Sequence, residues 1–176
     1  MPAFDVEDVA QARRWLDAVR EPEVGQRLDA IYAMIADQVA ARAPACAASG
    51  RCCNFESYGH RLYVTGLEAA WCVRQLAPEH PSLTPDTVVD ALERGGCPFQ
   101  DGTLCGVHTI KPVGCRTYFC DPTSQEWQEG LTERAHAMVK ALHLTAGVPY
   151  RYMEWRAMLS LLAEVLLIDP ETQLQT

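Results

Sequence analysis

The stretch from Cys97 to Cys120 reads CPFQDGTLCGVHTIKPVGCRTYFC, and it decides how the rest of the chain is interpreted. Its four cysteines have the spacing C-x7-C-x9-C-x4-C, and three glycines and two prolines lie among them. Glycine and proline interrupt helical periodicity and favour turns. We therefore predict a loop that folds around a centre, not a long helix.

A second cysteine block lies upstream, where residues 46–64 read CAASGRCCNFESYGHRLYV. It contributes Cys46, Cys52 and Cys53 with the spacing C-x5-C-C, and we predict a non-helical loop with a short extended segment at its end. Only 43 residues separate Cys53 from Cys97, so the two loops can converge on one site. The adjacent side chains of Cys52 and Cys53 are expected to point in different directions.

Around these blocks, apolar residues recur with helical spacing and helix-capping signals mark the boundaries. The predicted fold class is mostly α: one compact helical domain over residues 1–176 that carries two cysteine-rich metal-binding loops within residues 44–120. Helices are expected from Asp5 to about Arg20, from Pro22 to Ala43, from Thr65 to Leu76, from Thr84 to Gly95, over residues 124–146 and from about Pro149 to Ile168.

The overall charge and the N-terminal sequence limit the partners and the compartment. The formal net charge of −8 opposes binding to a phosphate backbone, so no nucleic acid partner is expected. The first 20 residues lack the cationic start and the apolar stretch of a signal peptide. No apolar run reaches the roughly 20 residues that cross a bilayer. We therefore expect a cytoplasmic protein with no membrane contact.

In a reducing cytosol, clustered cysteines indicate metal binding or redox chemistry more than structural disulfides. Thiolates suit zinc and iron–sulfur clusters, whereas calcium and magnesium prefer oxygen ligands. The spacing does not decide between the two thiophilic centres. The candidate metal ligands are Cys46, Cys52, Cys53, Cys97, Cys105, Cys115 and Cys120. The favoured four are Cys97, Cys105, Cys115 and Cys120, with Cys53 or Cys52 able to replace one of them.

Other residues near the blocks have weaker predicted roles. Four thiolates around a metal leave a net negative charge, and Arg51, Lys111 and Arg116 are the adjacent cations; Arg116 is the candidate cofactor-contacting residue. Cys72 lies in a predicted helix, where packing in the core is the better interpretation. Trp155 is likewise expected in the core, and His108 is a less favoured ligand. No known catalytic signature is present, so enzymatic activity stays open.

The same residues resemble the YkgJ-type family of cysteine-cluster proteins, described as zinc- or iron-chelating domains. The segment Cys97-Pro98-Phe99 and the run from Cys105 to Cys120 are similar to its later motif, with His108 in place of an aromatic residue. Cys46, Cys52 and Cys53 match its first motif, but Ser49 stands where a second cysteine is expected. The closing segment GVPYRYMEW, residues 147–155, also looks familiar. The resemblance implies metal or iron–sulfur binding, and a similar cluster occurs in flagellin lysine methylases.

Two functional classes follow. The first is an iron–sulfur protein, with a [4Fe-4S] cluster that serves electron transfer, redox sensing or an accessory role beside a larger enzyme. The alternative is a zinc-stabilised interaction module whose helical face binds a protein partner of unknown identity. A metal-free thiol switch remains a third interpretation.

Overall fold

The computed structural model describes residues 4–46 and 48–168, and these are mostly helical, as predicted. The helices are α1 (Val6–Ala18), α2 (Pro22–Arg42), α3 (Phe55–Tyr58), α4 (Gly66–Arg74), α5 (Pro85–Arg94), α6 (Val113–Thr117), α7 (Gln125–Thr145) and α8 (Trp155–Ile168). The strands are β1 (Tyr63–Thr65), β2 (Gln100–Asp101), β3 (Leu104–Cys105) and β4 (Tyr152–Glu154).

Helix α8 lies at the centre of the molecule. Its sequence WRAMLSLLAEVLLI is apolar on nearly every side, which is the pattern of a helix enclosed by others. Met158, Leu159, Leu161, Leu162 and Val165 are fully buried, and α8 packs against α1, α4 and α5. One hydrophobic core thus joins residues from α1 through to α8.

The helix boundaries follow the capping signals in the sequence. At the predicted start of α4, Thr65 and Glu68 form a capping box, in which each side chain accepts the other's backbone N–H. At the end of α5, Gly95 adopts a left-handed conformation with φ of 72°, where a side chain would be strained. Asp5 caps α1, and it does so in a reciprocal box with Asp8. The three predicted boundaries at Asp5, Thr65 and Gly95 are thus confirmed.

The predicted start of the last helix at Pro149 is wrong, because a strand occupies its first turns. Residues 152–154 form β4, which pairs antiparallel with β1 and places Tyr63 opposite Glu154. The helix then starts at Trp155, where the Glu154 carboxylate accepts the backbone N–H of Ala157 at 3.0 Å. Pairing with a strand about 90 residues upstream therefore overrides the local helical pattern.

The cysteine blocks also contain more regular structure than predicted. A short 3₁₀ helix spans Arg51–Cys53 and α3 follows it, so the expectation of a wholly non-helical first block is wrong. The extended segment at the end of that block is present as β1. In the second block, β2 and β3 form a small hairpin and α6 carries Cys115.

Within the described residues, no helix is both long and apolar enough to cross a membrane.

Candidate metal centre

Backbone hydrogen bonds hold the two cysteine blocks side by side. The Cys97 N–H donates to the Cys53 carbonyl at 2.8 Å, and the Glu56 N–H donates to the Gly95 carbonyl at 2.9 Å. The left-handed turn at Gly95 ends α5 and directs the chain back along the first block. The convergence of the blocks is therefore built from main-chain groups.

Gly50 brings the first block against the β2–β3 hairpin. Its φ is 71°, and a Cβ atom there would lie 3.1 Å from the Thr103 Cα, so the position requires glycine. The Gln100 side-chain amide donates to the Gly102 carbonyl at 3.1 Å and reaches the Gly50 carbonyl at 3.5 Å. This contact sets Cys105, at the end of the hairpin, beside the first block.

Four cysteines from the two blocks lie together, and we call them the four-cysteine cluster: Cys52, Cys53, Cys97 and Cys105. Cys53 is its common member, since its side chain contacts those of the other three. The Cys52 and Cys53 sulfur atoms lie 4.0 Å apart. The prediction that these adjacent side chains point in different directions is therefore wrong.

Contact with Cys53 lowers the pKa of each of the other three thiols in the four-cysteine cluster. Hydrogen bonding to Cys53 lowers the pKa of Cys52 to about 6 and that of Cys105 to about 7, and it also lowers the pKa of the buried Cys97. The pKa of Cys53 itself is raised, because its single S–H can donate to one neighbouring sulfur atom at a time and burial opposes its ionisation. Thiolates are the metal-binding form of cysteine, so the four-cysteine cluster suits a metal.

The remaining candidate ligands line a cavity of about 760 Å³, which Cys52, Cys53 and Cys105 also line. Cys115 lines it from α6, and burial raises the pKa of this thiol. Cys46 and Cys120 also line the cavity but are exposed to solvent. Of the four favoured ligands, Cys97 and Cys105 thus belong to the four-cysteine cluster, and Cys105, Cys115 and Cys120 line the cavity.

Cys72 is fully buried in α4, as predicted for a core residue. Burial raises the pKa of its thiol above the ordinary value. It is not among the residues that line the cavity.

Arg116 holds the loop before α6 instead of forming a surface ion pair. Its guanidinium stacks over the Tyr32 ring at 4.0 Å and donates to the Lys111 and Thr109 carbonyls at 2.6 and 2.7 Å. Burial lowers its pKa, while the neighbouring Cys115 thiol acts in the opposite direction. The side chain therefore combines a loop-bracing role with a positive charge close to the cavity.

Lys111 is the cation with the strongest electrostatic effect on the four-cysteine cluster. Its charge contributes to the lowered pKa of both Cys52 and Cys105. Arg51 instead lies over the Tyr58 ring at 5.3 Å, and His108 is exposed. Among the three predicted cations, Lys111 and Arg116 thus have the clearest electrostatic link to cysteines.

Two side chains near the site were not predicted to belong there. His60 contacts the Cys52 carbonyl through Nε2 at 3.3 Å and stacks on Tyr118 with the two rings nearly parallel. Trp155 lies next to Cys97 and acts on its thiol. In the sequence, only the resemblance of residues 147–155 to the YkgJ-type family suggested that Trp155 lies near the site.

Within residues 4–46 and 48–168, no three His, Cys, Asp or Glu side chains are already arranged as ligands of one metal ion. No family model, no curated protein and no solved structure matches the chain.

Proposed function

We propose that the protein holds an iron–sulfur cluster, of the [4Fe-4S] type, between its two cysteine blocks. The cluster would serve electron transfer, redox sensing or an accessory role toward a protein partner in the cytoplasm. The observation that carries the proposal is the convergence of the two blocks: the Cys97 N–H donates to the Cys53 carbonyl, and cysteines of both blocks line one cavity.

The donor set fits such a centre. Six cysteines line the cavity, which is more than a single tetrahedral zinc ion uses: Cys46, Cys52, Cys53, Cys105, Cys115 and Cys120. Thiolates are the usual ligands of iron–sulfur clusters, and nearby positive charge offsets the negative charge that a thiolate-bound cluster carries. Lys111 and Arg116 supply that charge. The motif resemblance to zinc- or iron-chelating domains supports the same class of centre.

A zinc-stabilised interaction module is the second candidate. Tetrahedral zinc with Zn–S bonds of about 2.3 Å places its sulfur ligands roughly 3.8 Å apart. The 4.0 Å separation of the Cys52 and Cys53 sulfur atoms is close to that spacing. In this case the metal would fix the two loops, and the partner would bind the surface around them.

Anaerobic purification with metal and sulfide analysis separates the two candidates. The iron–sulfur proposal predicts a brown protein with iron and acid-labile sulfide in equal amounts. Zinc without sulfide in a colourless protein would overturn it in favour of the second candidate. A protein that retains neither metal, even after anaerobic reconstitution, would contradict both.

Single cysteine variants test the location of the centre. Cys53→Ser removes the thiol that contacts all other members of the four-cysteine cluster, so it should abolish metal retention. Cys72→Ser is the matched control, because Cys72 is buried in the core on α4 and is not among the side chains that Cys53 contacts. Its metal content should equal that of the wild type. The reverse pattern would place the centre elsewhere.

Arg116 is proposed to stabilise the centre by its charge. Because removal of a nearby positive charge disfavours the addition of an electron, Arg116→Leu should shift the reduction potential to more negative values. Arg27→Leu is the control, since Arg27 forms an exposed ion pair with Glu23 on α2. Redox titration measures both, and equal potentials in the two variants would exclude an electrostatic role for Arg116.

A further inference from the structure

Trp155 is held in a fixed position next to Cys97 of the four-cysteine cluster. It is the first residue of α8, follows β4 directly, and donates its backbone N–H to the Leu62 carbonyl at 2.8 Å. Its side chain is 1% exposed and packs against Phe99, with the ring centroids 6.0 Å apart. The strand pairing and this packing together define where the indole lies.

The indole N–H of Trp155 is a buried donor without a hydrogen-bond partner of good geometry among the described residues. Buried donors in folded proteins are rarely left unpaired, so such a group requires an explanation. The Phe99 ring that packs on the indole is two residues from Cys97, whose side chain lies within reach of this donor. Cys97 is itself 5% exposed, so protein donors must replace water around its sulfur atom.

We propose that the Trp155 indole N–H donates a hydrogen bond to the Cys97 sulfur and thereby positions and tunes the metal centre. This inference rests on the proposed function, since it assigns Cys97 as a ligand. Donors to ligand sulfur atoms stabilise negative charge on them and raise the reduction potential of the bound centre. Trp155 is in this sense a positioning residue, which acts through Cys97.

Trp155→Phe tests the proposal because it removes the donor and keeps most of the ring. In the metal-loaded protein we expect a more negative reduction potential or, for a zinc centre, weaker metal retention against a chelator, by about 10- to 100-fold. A purely structural role would lower the melting temperature without moving either quantity. A folded variant with unchanged potential and unchanged metal affinity would overturn the proposal.

Trp71→Phe is the matched control. The Trp71 indole N–H is also buried without a hydrogen-bond partner among the described residues, but its ring packs against Gly25 on α2. The control should therefore leave the potential and the metal affinity unchanged. An equal effect of both variants would mean that the loss of any buried indole perturbs the centre, which contradicts a specific role for Trp155.

A second measurement does not depend on metal or on the folding of the tryptophan variant. In the metal-free, reduced protein labelled with ¹⁵N-tryptophan, Cys97→Ser should shift the Trp155 indole N–H resonance, whereas Cys72→Ser should not. An unshifted resonance would overturn the proposed hydrogen bond. A shifted resonance in a protein that binds no metal would support the indole–Cys97 contact while refuting the proposed function, so the two failures are distinguishable.

Discussion

His143 should make the stability of the fold dependent on pH below neutrality. It lies on α7 with 1% of its surface exposed, and both ring nitrogens are engaged. Nε2 accepts the backbone N–H of Leu67 at 3.4 Å, so Nδ1 carries the proton and donates it to the Pro149 carbonyl at 2.8 Å. A second proton on Nε2 would abolish the first of these bonds.

Burial lowers the pKa of His143 from 6.5 to about 4. Between these two pH values the unfolded chain binds a proton at this residue and the folded chain does not, so acidification favours unfolding. The stabilising contribution is present above pH 6.5 and is lost as the pH falls toward 4. At about 1.4 kcal/mol per pKa unit, the full loss is about 3 kcal/mol.

The assay is guanidinium unfolding of the wild type and His143→Gln between pH 7.5 and pH 4.5. Glutamine does not titrate, and other titrating groups and any metal loss act on both proteins alike. The difference in unfolding free energy between the two should therefore fall by about 2 to 3 kcal/mol across this range. A difference that stays constant with pH would refute the assignment of His143 as a buried neutral histidine.

Two further predictions concern the packing around α4. A Cβ atom on Gly66 would lie 2.2 Å from the Trp15 ring, so Gly66→Ala should destabilise the fold by about 1 to 3 kcal/mol. A Cβ atom on Gly130 of α7 would lie at an ordinary 3.5 Å from the Arg134 side chain, so Gly130→Ala should stabilise the fold by up to about 1 kcal/mol. Denaturant unfolding of both variants checks the signs, and equal effects would contradict the close approach of Gly66 to the Trp15 ring. Glu68→Ala leaves the backbone N–H groups of Thr65 and Val113 without their acceptor, at a cost of about 3 kcal/mol. Glu68→Gln should recover part of this loss in the same assay, and a glutamine variant as unstable as the alanine variant would exclude hydrogen-bond acceptance as the cause.

The helices of the scaffold were predictable because their signals are local. Thr65 and Glu68 are three residues apart, and the capping box they form depends only on the first turn of α4. Pro85 and Gly95 mark the two ends of α5 in the same way. Such signals lie within one helix and do not depend on the arrangement of the other elements.

The start of α8 was not predictable on this basis. The carbonyl groups of Pro149 and Arg151 accept hydrogen bonds from outside this segment: the first from Trp15 and His143, the second from the Gly66 N–H. These contacts hold the segment extended before β4. A periodicity argument over residues 149–168 contains no information about them.

The candidate site was predictable at the level of the two blocks but not of individual sulfur atoms. Clustering of the cysteines indicated that Cys53 and Cys97 could meet, and they do. The central position of Cys53 results from its backbone bond to Cys97 and from the close approach at Gly50. Neither feature depends on cysteine spacing, so the spacing alone could not rank Cys53 above Cys115 and Cys120.

The contacts that bring the cysteines together do not themselves involve sulfur. The bond from Cys97 to Cys53 joins backbone groups, and the Val113 N–H that starts α6 is held by Glu68 from the capped end of α4. Because the scaffold positions both blocks through such contacts, a metal would bind thiols that are already near one another. Metal binding would then mainly fix the local geometry of the sulfur atoms, while the packing of α8 in the core stabilises the fold. This division separates the centre from the helical scaffold energetically, although the Trp155 side chain belongs to both.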